Sequence, residues 1–158
     1  MKVVGIDAAA SVVQTARQRY GHLGAEFLST DEGTPDLQVD LAYTNGVFHH
    51  IEQADRKREL EQVRRWLLPG GVFVFWENNP WNPGTRLVMK RIPFDRDTCP
   101  LSHREAEALL AAAGFHVLRT SFHFYFPSWL RSLTRLEQSL QQVPLGAQYC
   151  VTAMRLEG

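Results

Sequence analysis

Short apolar runs and stretches of helical spacing take turns along this chain. Residues 2–6 are a β-rich apolar run closed by Asp7. Residues 8–20 follow with Val12, Val13, Ala16 and Tyr20 at helical spacing and Gln14, Arg17 and Arg19 opposite them, which predicts an amphipathic helix stopped by Gly21 and Gly24. Residues 25–28 read as a second strand, 29–35 as a turn-rich connection with Asp31 near its start, and 39–44 as a third strand. Helical spacing returns over 53–68, with Leu60, Val63 and Leu67 on one side, until Pro69-Gly70-Gly71 breaks it before the wholly apolar strand 72–76.

Residues 77–84 hold two prolines among turn-formers and read as a loop, with a brief helix over 85–90. Ser102 and Glu105 have the spacing of a capping box, opening a helix that runs to Gly114. A long strand over 115–126, an amphipathic helix carrying Trp129, Leu130, Leu133, Leu136 and Leu140, and a strand over 148–156 complete the chain. Alternation of this kind predicts an α/β fold, a Rossmann-like and mainly parallel sheet with helices on both faces. The 158 residues suit one domain spanning 1–158.

Composition narrows the field. A hydrophobic fraction of 44% and a charged fraction of 22% are those of a folded globular chain, and a formal charge of +0 speaks against a nucleic-acid partner. No apolar run approaches the roughly 18 residues that span a bilayer, so no membrane partner is expected. Asp7 comes too early for the apolar region of a signal peptide. Cys99 and Cys150 lie far apart with no metal-type spacing, which fits free thiols in a cytoplasmic protein and gives no metal site.

The chemistry gathers at 41–51, where the third strand stops at Asn45-Gly46 and His49-His50 follow. Open α/β sheets bind ligands at the carboxyl ends of their strands, so this stretch is expected to floor a small-molecule site. Asp7, with Ala8 after it, stands between a strand and a helix; its carboxylate can accept from both hydroxyls of a nucleoside ribose, or cap the helix. Asp31 can accept from an adenine amino group or serve as a turn acid. His49 and His50 can act as a general base or simply lead into the next helix; neighbouring histidines point apart, which disfavours one shared metal. Trp81 offers a stacking face over a substrate or covers core. Phe122, Phe124, Tyr125, Phe126 and Trp129 read as core or as an interface, with a homo-oligomer through the aromatic C-terminal third as one outcome.

Taken together these residues resemble the class I S-adenosylmethionine-dependent methyltransferases of the small-molecule type with a His-His loop. Val3 to Asp7 looks like that family's second strand with its ribose acid, and Phe27 to Asp31 is similar to its third strand with the adenine-contacting acid. Asp40 to Ile51 resembles its fourth strand and the loop beneath the methionine part of the cofactor, placing Asn45 near the cofactor. Glu61 to Gly71 resembles the helix and turn before its fifth strand. The closing helix, long strand, helix and strand are similar to its final antiparallel pair, which implies an antiparallel last strand. The resemblance implies S-adenosylmethionine as cofactor, a small organic acceptor, His49 and His50 as catalytic residues, and Asp7, Ala8, Asp31 and Asn45 as cofactor contacts.

One departure stands out. The family opens with a strand and a Gly-x-Gly-x-Gly loop that lie between the strands ending here at Asp7 and Thr44, and no Gly-x-Gly occurs in this sequence. An N-terminally shortened fold with weak unaided cofactor binding is therefore expected, in which those two strands either pair directly or keep open edges. The alternative function is a non-catalytic binding or assembly module that has lost the cofactor. A nicotinamide-dependent oxidoreductase would share the ribose acid but lacks its glycine fingerprint equally. Asn79-Pro80-Trp81 resembles the Asn-Pro-Pro-aromatic motif of amino-group methyltransferases, but it follows the wrong strand and has one proline, which argues against a DNA base as acceptor.

Overall fold

The computed structural model describes residues 2–33, 36–95 and 98–156. Contacts gather the chain into two compact units, Met1–Asp36 and Leu37–Gly158.

The first unit is a βαβ crossover. Strand β1 (Val3–Asp7) pairs in parallel with β2 (Ala25–Ser29), from Val3 opposite Ala25 to Asp7 opposite Ser29. Helix α1 (Ala10–Tyr20) and a 3-10 turn (Gly21–Leu23) connect them, and Gly24 takes the left-handed φ of +79° that turns the chain into β2. Of the apolar stripe read from the sequence, Val13 is buried while Val12 and Tyr20 stay about half exposed. Gly5 is needed for packing: a Cβ there would come within 2.8 Å of the Phe27 ring on the neighbouring strand.

The second unit holds β3 (Val39–Asn45), α2 (Arg56–Trp66), β4 (Leu67–Asn78), α3 (Pro83–Arg91), α4 (His103–Ala112), β5 (Phe115–His123), α5 (Glu137–Leu140) and β6 (Gln148–Arg155). Its sheet has the order β3-β4-β6-β5, with β3 and β4 parallel and β6 antiparallel to both neighbours, so β6 alone runs against the rest. Leu60 and Val63 of α2 and Ala106 and Leu110 of α4 close over Phe73, Phe75, Phe115 and Val151 to make the core. At the head of α4, Ser102 and Glu105 form the capping box expected from their spacing.

Several boundaries differ from the sequence reading, each for a physical reason. Strand β4 does not stop at Trp76; Glu77 and Asn78 continue it opposite Tyr149 and Gln148, because β6 offers a ladder that long. Pro69-Gly70-Gly71 breaks the helix as expected but lies within β4, as an irregularity between the Val39–Leu67 and Leu41–Val72 pairs, with Gly70 at φ +77°. Helix α2 starts at Arg56 rather than Gln53. Strand β5 ends at His123 because Phe124 adopts φ +62°, a turn conformation that a strand cannot continue through. The amphipathic stretch near 129–140 is a 3-10 helix (Ser128–Leu136) kinked at Leu130 and followed by the single-turn α5. Among the described residues the strands form two ladders, β1-β2 in the first unit and β3-β4-β6-β5 in the second.

Residues 79–85 and 144–147 are fastened to each other by side chains. Asn79, fully buried, donates from Nδ2 to the carbonyls of Pro144 (3.1 Å) and Gly146 (2.8 Å). Asn82 Nδ2 donates to Leu145 O (2.7 Å), and Thr85 Oγ1 to Ala147 O (2.8 Å). Gly146 is seated against β5, where a Cβ would meet the carbonyl oxygen of His123 at 2.5 Å and its amide nitrogen at 2.6 Å. Gly146→Ala should therefore lower stability by about 1–3 kcal/mol through overpacking against backbone that cannot yield. Gly21→Ala, where a Cβ meets nothing within 4 Å, should change it by less than about 0.5 kcal/mol. Urea unfolding of the two variants checks the contrast.

Candidate functional site

Residues expected in the site lie at the carboxyl ends of strands in both units. In the first, Asp7 ends β1 and its Oδ1 accepts the backbone N–H of Ala9 (2.8 Å), which shapes the turn before α1 without capping the helix; Oδ2 takes no hydrogen bond among the described residues. Ala8 follows it, exposed. Asp31 lies two positions beyond the residue that pairs with Asp7, which brings both carboxylates to one edge of the two-stranded sheet.

Asp31 sits in a 3-10 turn (Thr30–Glu32) that is built to hold its shape. Its N–H donates to Ser29 Oγ (3.3 Å), and Glu32 closes a capping box with Ser29. Arg17 of α1 reaches across with Nε donating to Phe27 O (2.7 Å) and both terminal nitrogens on the Glu32 carboxylate (3.2 and 2.8 Å). That bidentate bond pulls the Glu32 carboxyl below, and the Arg17 guanidinium above, its ordinary pKa.

In the second unit β3 stops at Asn45, exposed, and Gly46 turns the chain at φ +65° while its N–H donates to Trp76 O (3.0 Å). One 3-10 turn follows (Phe48–His50). Phe48 is buried against Phe75 with ring centroids 4.9 Å apart. His49 is 3% exposed and its Nδ1 lies 2.7 Å from Oε2 of Glu77, itself 0% exposed. The other carboxylate oxygen, Oε1, accepts the N–H of Phe48 (2.7 Å). Since a carboxylate only accepts, Nδ1 of His49 carries the proton of this bond.

His50 faces outward. Its ring is stacked between those of His49 (4.0 Å between centroids) and Phe94 (4.4 Å). Arg56, 3% exposed, fastens the turn from behind, with Nε donating to Ile51 O (3.0 Å) and Nη2 to Cys99 O (2.6 Å), while Cys99 N–H donates to His49 O (3.2 Å). Trp81 leaves part of its ring exposed, sets its edge on His103 (4.6 Å) and carries the Arg104 guanidinium 5.3 Å above its centroid.

Sequence reasoning did not single out Glu77 or Phe94. Helical spacing puts Arg56 on the outer face with Lys57, Glu59 and Arg64, whereas the structure buries it at 3% exposure because its guanidinium reaches the carbonyls of Ile51 and Cys99. For Glu77 a signal was available: Phe73 and Phe75 face the core, and alternation puts residue 77 on the same face. The aromatic Trp76 on the opposite face hid that period.

Residues 1–73, a little under half of the chain, match the family model of a methyltransferase domain, so this part carries that domain's sequence pattern. No curated protein matches the chain. Among solved structures, an S-adenosylmethionine-dependent methyltransferase from Archaeoglobus fulgidus is similar at TM-score 0.72 and 13% identity, covering 96% of this chain and 75% of that one. Another from Thermotoga maritima is similar at TM-score 0.74 and 16% identity, covering 97% and 72%. The [4+2]-cyclase SpnF is also similar, at TM-score 0.64 and 17% identity over 100% of this chain and 68% of that one. The fold is thus the Rossmann-like fold of these methyltransferases, and at such identities the likeness concerns the fold and not the reaction.

Two outcomes follow from the buried groups. Glu77→Ala strands the His49 Nδ1–H and the Phe48 N–H without water, and should lower stability by about 3–5 kcal/mol; Glu77→Gln, which can still accept from one of them, should lose less. Denaturant titration of both variants measures the gap. Burial also depresses the pKa of His103 and of His123. The folded state then holds fewer protons than the unfolded one below the unfolded pKa of about 6.5, so this contribution is intact above that pH and is lost as pH falls from there. Calorimetric Tm values should drop between pH 7.5 and 5.5, with a smaller drop in His103→Gln.

Proposed function

We propose that this chain carries out S-adenosylmethionine-dependent methyl transfer to a small organic acceptor. The observation that supports this best is the pair of exposed carboxylates, Asp7 and Asp31, at the carboxyl ends of two adjacent parallel strands, within the part that matches a methyltransferase domain. Acceptor-only groups in that position suit the donors of a nucleoside: two ribose hydroxyls for Asp7, whose Oδ2 is uncommitted among the described residues, and an amino group for Asp31. The donor set fits the cofactor. Bound, it supplies a methyl group activated by a sulfonium charge.

The protein's own residues then divide the work. In the first unit Asp7, Ala8 and Asp31 hold the nucleoside; in the second, Asn45 offers an exposed amide at the end of β3. His50, exposed, accepts a proton from an acceptor hydroxyl or amine, which suits an imidazole near neutral pH. His49, enclosed and bonded to Glu77, sets the position of the turn that carries His50. The acceptor is not a nucleic acid, in keeping with the neutral charge, and the setting is the cytoplasm.

A second reading, a non-catalytic assembly module, draws support from β3. This strand ends its ladder and leaves Leu41 and Tyr43 exposed, a face on which a partner or second copy could pair. The aromatic C-terminal third offers another such face.

The readings separate by amide-resolved NMR of the 15N-labelled chain titrated with S-adenosylmethionine to millimolar concentration. Methyl transfer expects shifts at Asp7, Ala8 and Asp31 that vanish in Asp7→Ala. An unchanged spectrum at saturation of the ligand's solubility would leave the assembly reading standing.

A further inference from the structure

Two segments of the second unit combine cations and exposed apolar side chains without a single acid. Residues 79–94 contain Arg86, Lys90 and Arg91 and neither Asp nor Glu; residues 124–136 contain Arg131 and Arg135 and again neither. The whole chain has a formal charge of +0, so these cations are a local surplus offset by acids elsewhere.

On α3 only Thr85 and Met89 are buried, so the helix rests on one narrow stripe and turns the rest outward. Leu87 is exposed, with Lys90 and Arg91 three and four positions further on and therefore beside it on the helix surface. Val88 and Ile92 are exposed too, and Phe94, just after the helix, is 77% exposed. The other segment shows Trp129 at 78% exposure with Arg131 and Arg135 following. The two are linked through Ala147: Thr85 at the start of α3 donates from Oγ1 to Ala147 O, and Ala147 N–H donates to Phe124 O at the head of the second segment.

We infer that α3 with Phe94, together with the Trp129 segment, is a docking face for the surface of an anionic phospholipid bilayer. The chemistry matches on both counts. Arginine and lysine meet headgroup phosphates while their aliphatic stems lie along the apolar boundary, and an indole is most stable at headgroup depth. The five cations outnumber the nearest acids in sequence, Asp95 after Phe94 and Glu137 after Leu136, so the local charge still favours a negatively charged surface. No helix among the described residues is long and apolar enough to cross a membrane, so the contact is peripheral. This departs from the sequence expectation of no membrane partner, which rested on the length needed to span one. It does not rest on the methyl-transfer reading.

The test is co-sedimentation of the full chain with vesicles of phosphatidylcholine alone and of phosphatidylcholine mixed with phosphatidylglycerol, at low and high salt. Binding to the anionic vesicles only, weakened by salt and accompanied by a blue shift of tryptophan emission, is expected. Replacing Arg86, Lys90 and Arg91 together by Gln should weaken it about a hundredfold, at about 1 kcal/mol per cation. Leu87→Gln with Ile92→Gln should also weaken it, with circular dichroism unchanged since all these side chains are exposed. Failure to bind anionic vesicles, or binding that neither set of substitutions alters, overturns the inference. So does a concentration-dependent dimer, seen by sedimentation equilibrium without vesicle binding and abolished by the same substitutions, which would assign the face to a second copy.

Discussion

A carboxylate taken out of water loses several kcal/mol of solvation that only close donors can offset. Glu77 is fully buried, and its two oxygens are met by one imidazole and one backbone N–H, each at 2.7 Å. Both donors come from a single turn, Phe48 to His49, so the requirement of one side chain on β4 dictates the course of the chain after β3. Phe48 is thereby placed on Phe75, and Gly46 must turn at a positive φ to let the chain reach it. Behind Glu77 stands Tyr149, whose phenol burial and the nearby Glu77 charge hold far above its ordinary pKa; it remains a neutral donor, bonded to Leu101 O at 2.8 Å.

Arg56 applies the same logic with the opposite sign. A buried guanidinium needs acceptors, and the carbonyls of Ile51 and Cys99 supply them. One cation thus ties the turn after β3 to the segment before α4, residues more than forty positions apart. The Asn79, Asn82 and Thr85 bonds to 144–147 make a third tie of this type. In the last two a polar side chain from a regular element or its margin satisfies backbone carbonyls of a loop, which have no ladder to satisfy them, while Glu77 satisfies a backbone N–H instead.

What could be read from the sequence is what local pattern encodes. The order of strands and helices, the capping box at Ser102, the turn at Gly46 and the stop at Asp7 all follow from spacing and residue type within a few positions. Asp7 and Asp31 share a sheet edge because a parallel pair joined by one helix leaves little freedom in register. The ties just described were not legible, because each joins residues whose proximity depends on which strands neighbour one another. Glu77 was the intermediate case: its face follows from alternation, but only once the strand is known to extend past Trp76, and that extension is set by β6, seventy residues further on. The outward apolar side chains of α3 were equally hidden, since helical spacing marks which residues share a face and not which face is covered.

The two histidines show how packing turns a repeated residue into two distinct groups. A 3-10 turn advances about 120° per residue, so consecutive side chains cannot point the same way. Burying His49 on Glu77 therefore directs His50 outward, and the same bond that removes one imidazole from solvent presents the other. The stacking of His50 between His49 and Phe94 limits its rotation without enclosing it. Orientation of His50 then comes from the His49–Glu77 pair, restraint from Phe94, and access from the exposure of His50 itself. A sequence holding one histidine at position 50 and an aliphatic residue at 49 would keep the access and lose the orientation.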